Sequence, residues 1–120
     1  MKSSILIVDD DIVSLKLAGM ILEQAGYEIH SAKSGLDALA FLRRKSVDLI
    51  LLDIEMPIMT GLKTLEKIRT DRDLADIPVI MLTSSNDRET IIDACRLEIT
   101  DYVVKPFVPA NLLERVEKIL

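Results

Sequence analysis

The five residues Leu49-Ile50-Leu51-Leu52-Asp53 constrain the fold more than any other stretch. Successive side chains of a strand point to opposite faces, so four consecutive aliphatic residues require cover on both sides, as in an interior strand of a parallel sheet. The run stops at an acid. A carboxylate therefore stands at the carboxyl end of a central strand, the edge at which open α/β sheets place ligands. One Asp after a strand is ordinary turn chemistry, but other apolar runs end in the same way. Ile5 to Val8 leads into Asp9, Asp10 and Asp11. Val79 to Leu82, opened by Ile77-Pro78, leads into Thr83, Ser84 and Ser85. Tyr102 to Val104 leads into Lys105-Pro106. A fifth segment, Tyr27 to Ala32, alternates and carries Glu28 and His30, the pattern of an edge strand.

Helical segments separate these runs. Ile12 to Ala25 has helical period, with Ser14, Leu17, Ala18, Ile21, Leu22 and Ala25 on the expected inner face and Gly26 as its stop. Ser34 to Arg44 follows, with Leu36, Leu39, Ala40 and Leu42 inward. Leu62, Leu65 and Ile68 mark a third helix from Gly61 to about Thr70. The fourth is expected from about Asp87 to Leu97, burying Ile91, Ile92 and Cys95. The fifth runs from Pro109 to Leu120, with Leu112, Leu113 and Val116 inward and Pro at its start. Five strands alternating with five helices make an α/β fold, a parallel sheet covered on both faces and joined by right-handed crossovers. At 120 residues the chain is expected to form one domain, 1–120, and with only two Phe and two Tyr its core must be aliphatic.

Composition narrows the function classes. A net charge of -5 argues against a nucleic-acid-binding surface. The single cysteine cannot form an internal disulfide, and no N-terminal apolar segment has the length of a signal peptide or membrane span. A cytoplasmic location is expected.

Taken together, the polar strand ends describe a site. The carboxyl edge receives Asp9 and Asp10 from the first strand, Asp53 from the third, Thr83 from the fourth and Lys105 from the fifth. Crowded carboxylates repel, and an all-oxygen cluster suits Mg²⁺ or Mn²⁺, completed by water at roughly 2.0–2.1 Å. If the Asp53 carboxylate attacks a phosphoryl group, the cation neutralises the equatorial oxygens while Lys105 and Thr83 supply further donors. Asp11 is better placed to cap the first helix.

The motifs ILIVDDD at 5–11, LILLDIEMPIMTG at 49–61, PVIMLTSS at 78–85 and DYVVKPF at 101–107 resemble the receiver domain of two-component response regulators, over the whole chain. The resemblance implies a flavodoxin-like doubly wound sheet of strand order 2-1-3-4-5. It implies Asp53 as phosphoacceptor, Asp10 as a direct Mg²⁺ ligand, Asp9 as a ligand through water and the Glu55 backbone carbonyl as a third protein ligand. Thr83 and Lys105 match the phosphoryl-binding pair, Tyr102 the aromatic switch position, and Lys105-Pro106 a cis peptide. The implied partners are a histidine kinase or histidine phosphotransfer protein as donor. The implied output runs through the face of the fourth helix, fifth strand and fifth helix, where Glu89, Asp93, Arg96 and Leu97 are expected outward. A helical wheel groups Ile12, Leu15 and Gly19 on the outer side of the first helix. That stripe, with Pro106, is the expected docking surface for the phosphohistidine-bearing partner.

The chain departs from the family pattern at two places. Thr60 stands where Asp or Asn is common, and Arg96-Leu97-Glu98-Ile99-Thr100 lacks the Gly-Ala pair that usually ends the fourth helix. His30 is read as a solvated surface residue, Cys95 as an apolar filler, and Met56 and Met59 as packing residues of the loop after Asp53. An alternative function is an Asp-nucleophile phosphatase or phosphotransferase on a related fold. The haloacid dehalogenase type requires a second Asp two residues after the nucleophile, where this chain has Glu55, and usually an inserted cap. A degenerate receiver used only for docking would be expected to lack one of the acids, the Thr or the Lys. The signalling switch, a phosphoacceptor rather than an enzyme, is the favoured reading.

Overall fold

A computed structural model of the chain describes residues 2–84 and 88–120. In chain order its elements are β1 (Ser4–Val8), α1 (Ile12–Gln24), β2 (Glu28–Ala32), α2 (Gly35–Arg44), β3 (Leu49–Asp53), α3 (Gly61–Thr70), β4 (Val79–Thr83), α4 (Arg88–Cys95), β5 (Asp101–Val104) and α5 (Pro109–Ile119). The strands form one sheet in the order β2-β1-β3-β4-β5, with every neighbouring pair parallel. The expected flavodoxin-like architecture is therefore present.

Alternation along the strands divides the core in two. Ile50 and Leu52 of β3 pack with Ala38 and Leu42 of α2, Leu65 and Ile68 of α3 and Ala94 of α4. Leu49 and Leu51 face the other way, toward Leu15, Ala18 and Leu22 of α1 and Leu112 and Val116 of α5. All residues of β3 and β4 are buried, which explains their unbroken aliphatic runs. The helices begin at side-chain caps: the carboxylate of Asp11 accepts from Val13 N and the Ser14 hydroxyl, Ser34 Oγ accepts from Asp37 N, and Thr60 Oγ1 from Lys63 N. Asp11 is thus a cap, as expected, and Thr60 serves as one too.

Helix faces were less legible than helix positions. In α1 the buried residues are Leu15, Ala18, Gly19 and Leu22, while Leu17 and Ala25 are exposed. The expected outward stripe of Ile12, Leu15 and Gly19 is corrected accordingly. Apolar residues occur on several sides of this helix, so its own period does not choose among them. Packing on the sheet does: Leu15, Ala18 and Leu22 join Ile5 and Ile7 of β1 in the core, with Gly19 set against Ile29 of β2. In α2, Gly35, Ala38 and Leu42 face inward and Leu36 is exposed, because the small residues let the helix approach α3. A Cβ on Gly35 would overlap Thr64 Oγ1 and Met59 Sδ. In α4, Ala94 is the buried residue; Ile92 and Cys95 are exposed, and Leu97, expected outward, packs against the core. Here Ala94 packs against the core and Leu97 and Ile99 extend the contact beyond the helix end. The expected start at Asp87 lies outside the described residues.

Candidate functional site

Strand order 2-1-3-4-5 places a topological switch between β1 and β3, whose crossovers leave in opposite directions and open a crevice at their carboxyl ends. Asp9 follows the last residue of β1 and Asp53 ends β3. By alternation Asp53 lies on the sheet side of Leu49 and Leu51, toward α1 and α5, and Asp9 and Lys105 continue the same parity from Ile7 and Val103. Carboxylate oxygens of Asp9, Asp10 and Asp53 all lie within 4.8 Å of one another. The sequence-predicted acids are thus brought together, with Asp9 and Asp53 buried and Asp10 exposed.

Lys105 answers part of this charge. Its ammonium lies 2.7 Å from Asp9 Oδ2 and 3.1 Å from Asp53 Oδ1. The other Asp9 oxygen accepts from the backbone N–H of Asp11 at 2.9 Å. Burial, then the charge of Asp9, push the Asp53 pKa from its ordinary 3.8 up to about 6, with Lys105 pulling the other way. For Lys105 burial favours the neutral amine, but the hydrogen bond to Asp9 and the charge of Asp53 outweigh it and raise its pKa. One ammonium among three carboxylates leaves the cluster negative, and its donors are all hard oxygen. That donor set fits a small divalent cation such as Mg²⁺.

Thr83 has the opposite parity. It ends β4 on the face of Val79 and Met81, which is the face toward α4, and is buried. Its hydroxyl donates to Ser84 O at 2.9 Å, while Lys105 N donates to Thr83 O at 2.7 Å, so the ends of β4 and β5 are tied by backbone. Tyr102 pairs with Met81 in the ladder, two residues before the Thr83–Val104 pair, and is 44% exposed. The Lys105–Pro106 peptide is cis.

The loop from β3 to α3 is shaped by glycine and by a tight turn. Gly61 N donates to Ile54 O at 2.8 Å, and a Cβ on Gly61 would overlap the carbonyl of Asp53 itself. Met59 N bonds to Pro57 O at 2.7 Å across Ile58, whose φ of 68° lies in the left-handed region that a β-branched residue rarely adopts. Met56 is buried, as expected of a packing residue. Glu55 is exposed and, with Met56, Pro57 and Leu62, lines a groove of about 520 Å³ that reaches Thr90 of α4. His30 pairs with Glu28 at 2.8 Å and packs on the Phe41 ring, away from the acids.

On α1 the apolar residues left exposed are Ile12, Val13, Leu17 and Met20. Leu15 and Gly19 instead form part of the wall of a groove of about 580 Å³ between α1 and β2. Sequence period missed Val13 and Met20, since only the orientation of the packed helix shows them. Two polar arrangements were also unforeseen. Arg115 of α5 grips both oxygens of Asp101 at 2.7 and 2.9 Å, and Arg69 of α3 donates to four backbone carbonyls. Arg115 lies fourteen residues from Asp101, and no local pattern marks the pair.

This edge, on this sheet, defines a flavodoxin-like domain of the receiver class. The family model described as the response regulator receiver domain matches residues 5–117, and the chain belongs to that family. It is 38% identical over 116 residues to the chemotaxis protein CheY-3 of Vibrio cholerae, covering 96% of this chain and 89% of the relative. It is 35% identical to the phosphate regulon transcriptional regulatory protein PhoB of Pseudomonas aeruginosa, covering 98% of this chain but 51% of that protein. Among solved structures, chemotaxis protein CheY4 of Vibrio cholerae superposes with a TM-score of 0.94 at 32% identity, over the full length of both chains. The domain is a phosphorylation-dependent signalling switch of the two-component type. Domains of this family work with histidine kinases and output domains. Among the described residues, no helix is long and apolar enough to cross a membrane.

Proposed function

We propose that Asp53 is the phosphoacceptor, with Asp9, Asp10 and the Glu55 backbone carbonyl as the other protein ligands of a Mg²⁺ ion and with Lys105 and Thr83 as phosphoryl donors. The observation that carries this reading is the position of Asp53, 3.1 Å from Lys105 and grouped with Asp9 and Asp10 at the switch between β1 and β3. An Asp53 oxygen attacks phosphorus, the P–N bond of a phosphohistidine breaks, and the imidazole leaves with its electron pair, forming an acyl phosphate. Mg²⁺, when bound, neutralises charge on the transferring group. Lys105 follows the new phosphoryl oxygens with its ammonium, exchanging part of its contact with Asp53 for them. The buried Thr83 hydroxyl is the donor that can turn from Ser84 O toward the phosphoryl group.

Phosphorylation adds nearly two negative charges and three acceptors at a buried site. Movement of Thr83 changes the face it shares with Tyr102, and Tyr102 can then exchange its exposed position for an inner one. The face of α4, β5 and α5 is read by the output partner in this scheme. The phosphohistidine-bearing protein docks on the exposed start of α1, at Ile12 and Val13, and on Pro106, which is also exposed. Intact-mass measurement after incubation with Mg²⁺ and acetyl phosphate tests the core of the proposal. One phosphate on the parent and none on Asp53→Asn is the expected result; equal uptake by both would refute the assignment.

A further inference from the structure

The fourth helix itself is lightly held, and the turn that follows it is held firmly. Along its eight residues, Arg88, Glu89, Ile92, Asp93 and Cys95 are exposed, Thr90 and the core-packed Ile91 are half-buried, and only Ala94 is fully buried. Past Cys95 the chain changes character. Three successive short-range bonds tighten the turn, from Arg96 N to Asp93 O, Leu97 N to Ala94 O and Glu98 N to Cys95 O. Leu97 and Ile99 pack on the core, and Thr100 N joins Val79 O at 2.9 Å. Glu98 stands at φ 60°, a left-handed conformation that glycine adopts without strain and glutamate does not.

Arg69, on the last turn of α3, supports this strained turn. Its Nε donates to Leu97 O at 2.9 Å and its Nη2 to Glu98 O at 3.1 Å. Its Nη1 donates to Ala75 O at 3.0 Å and Ile77 O at 2.8 Å, in the segment leading to β4. A guanidinium is a rigid planar fork, so one side chain sets the relative positions of three backbone segments. The charges of Glu98 and Asp76 act on it against the effect of burial. Two of the bonds satisfy carbonyls of the turn that follows α4, while the helix's own last carbonyls accept from Arg96 N, Leu97 N and Glu98 N.

From this we infer that Arg69 and the left-handed turn at Glu98 form a fixed pivot, so that α4 transmits the state of the carboxyl edge by moving its amino end while its carboxyl end stays in place. The inference rests on the switch reading given above and adds the mechanical element that would confine the response. Arg69 touches neither the acids nor Thr83 and is a positioning residue. A Lys in its place would keep the charge but lose the fork.

Hydrogen exchange on the intact chain tests the pivot, with acetyl phosphate and Mg²⁺ as the phosphorylating probe and intact mass as the measure of uptake. In the parent, phosphorylation should change exchange within residues 88–94 and leave 95–100 unchanged. Arg69→Met should take up phosphate equally, yet exchange at 95–100 should be faster by at least about tenfold, the factor for losing one charge-assisted hydrogen bond. Arg69→Lys should fall between the two. Glu98→Gly added to Arg69→Met should restore much of the protection, because glycine holds the turn unaided, whereas a general loss of packing would not be rescued there. Parent-like protection of 95–100 in Arg69→Met would overturn the inference, as would a phosphorylation response spread equally over 88–94 and 95–100 in the parent. The comparison without phosphodonor decides on the anchor independently: absence of phosphate uptake by the parent would sink the receiver chemistry, while unaltered exchange in Arg69→Met would sink the pivot.

Discussion

Replacing Asp53 by Asn should stabilise the metal-free protein at neutral pH, although it removes an ion pair. The folded chain holds this carboxyl at a pKa of about 6 against an ordinary 3.8, because burial and Asp9 together outweigh Lys105. A proton is therefore bound more tightly in the folded state than in the unfolded one. The stability from that proton is fully present below pH 3.8 and is lost as the pH rises through 6. At pH 7 the loss amounts to at most about 3 kcal/mol, and at pH 4 to about 0.5 kcal/mol. Asn keeps the shape and carries no charge, so Asp53→Asn should escape most of this cost. For a chain of this length, about 4 °C of melting temperature accompanies each kcal/mol. Thermal denaturation with chelator present should then show Asp53→Asn melting roughly 4–12 °C above the parent at pH 7. The gap should nearly close at pH 4, and saturating Mg²⁺ should narrow it at pH 7 by stabilising the parent through binding. A variant no more stable than the parent at pH 7, or equally advantaged at pH 4, would show that the acids do not repel as their geometry requires.

Three further expectations concern the site and its surroundings. Asp10→Ala should lose Mg²⁺ binding in a calorimetric titration, and unchanged affinity would remove Asp10 from the ligand set. Thr83→Ala should still accept phosphate on Asp53 but show little of the parent's chemical-shift change at Tyr102; full propagation would route the signal through Lys105 instead. On α1, Ile12→Glu should keep the fold and phosphorylation by acetyl phosphate while blocking transfer from a phosphohistidine-bearing partner. Leu15→Glu should unfold the domain or destabilise it by about 3 kcal/mol or more in urea titration, because it buries an unpaired charge; equal stability of the two variants would restore the outward stripe.

What could be read from the sequence was whatever rests on period two and on strand ends. Unbroken aliphatic runs at Ile5–Val8, Leu49–Leu52 and Val79–Leu82 demanded a sheet covered on both faces, and the polar residue after each run had to emerge at one edge. That logic, extended to Tyr102–Val104, places Asp9, Asp10, Asp53, Thr83 and Lys105 at one edge. The cap at Asp11 is local in the same sense, since the N–H it serves, that of Val13, lies two residues on.

The periods of α3 and α5 already placed Leu65, Ile68, Leu112 and Val116 inward, but tertiary structure alone decided which way α1, α2 and α4 face. α1 carries aliphatic side chains around much of its circumference, and its packing on the sheet with Leu15, Ala18 and Leu22 inward leaves Val13 and Met20 in solvent. In α2 and α4 small residues likewise meet the core, Gly35, Ala38 and Ala94, where hydrophobicity alone favoured Leu36, Ile92 and Cys95; Ala40, expected inward, is exposed. Close packing selects for shape as well as for apolarity, and shape depends on the neighbour. The same holds for Arg69, twenty-eight residues from the Leu97 carbonyl it bonds. A guanidinium on the last turn of α3 reads as a solvated charge until the fold brings four carbonyls within its reach.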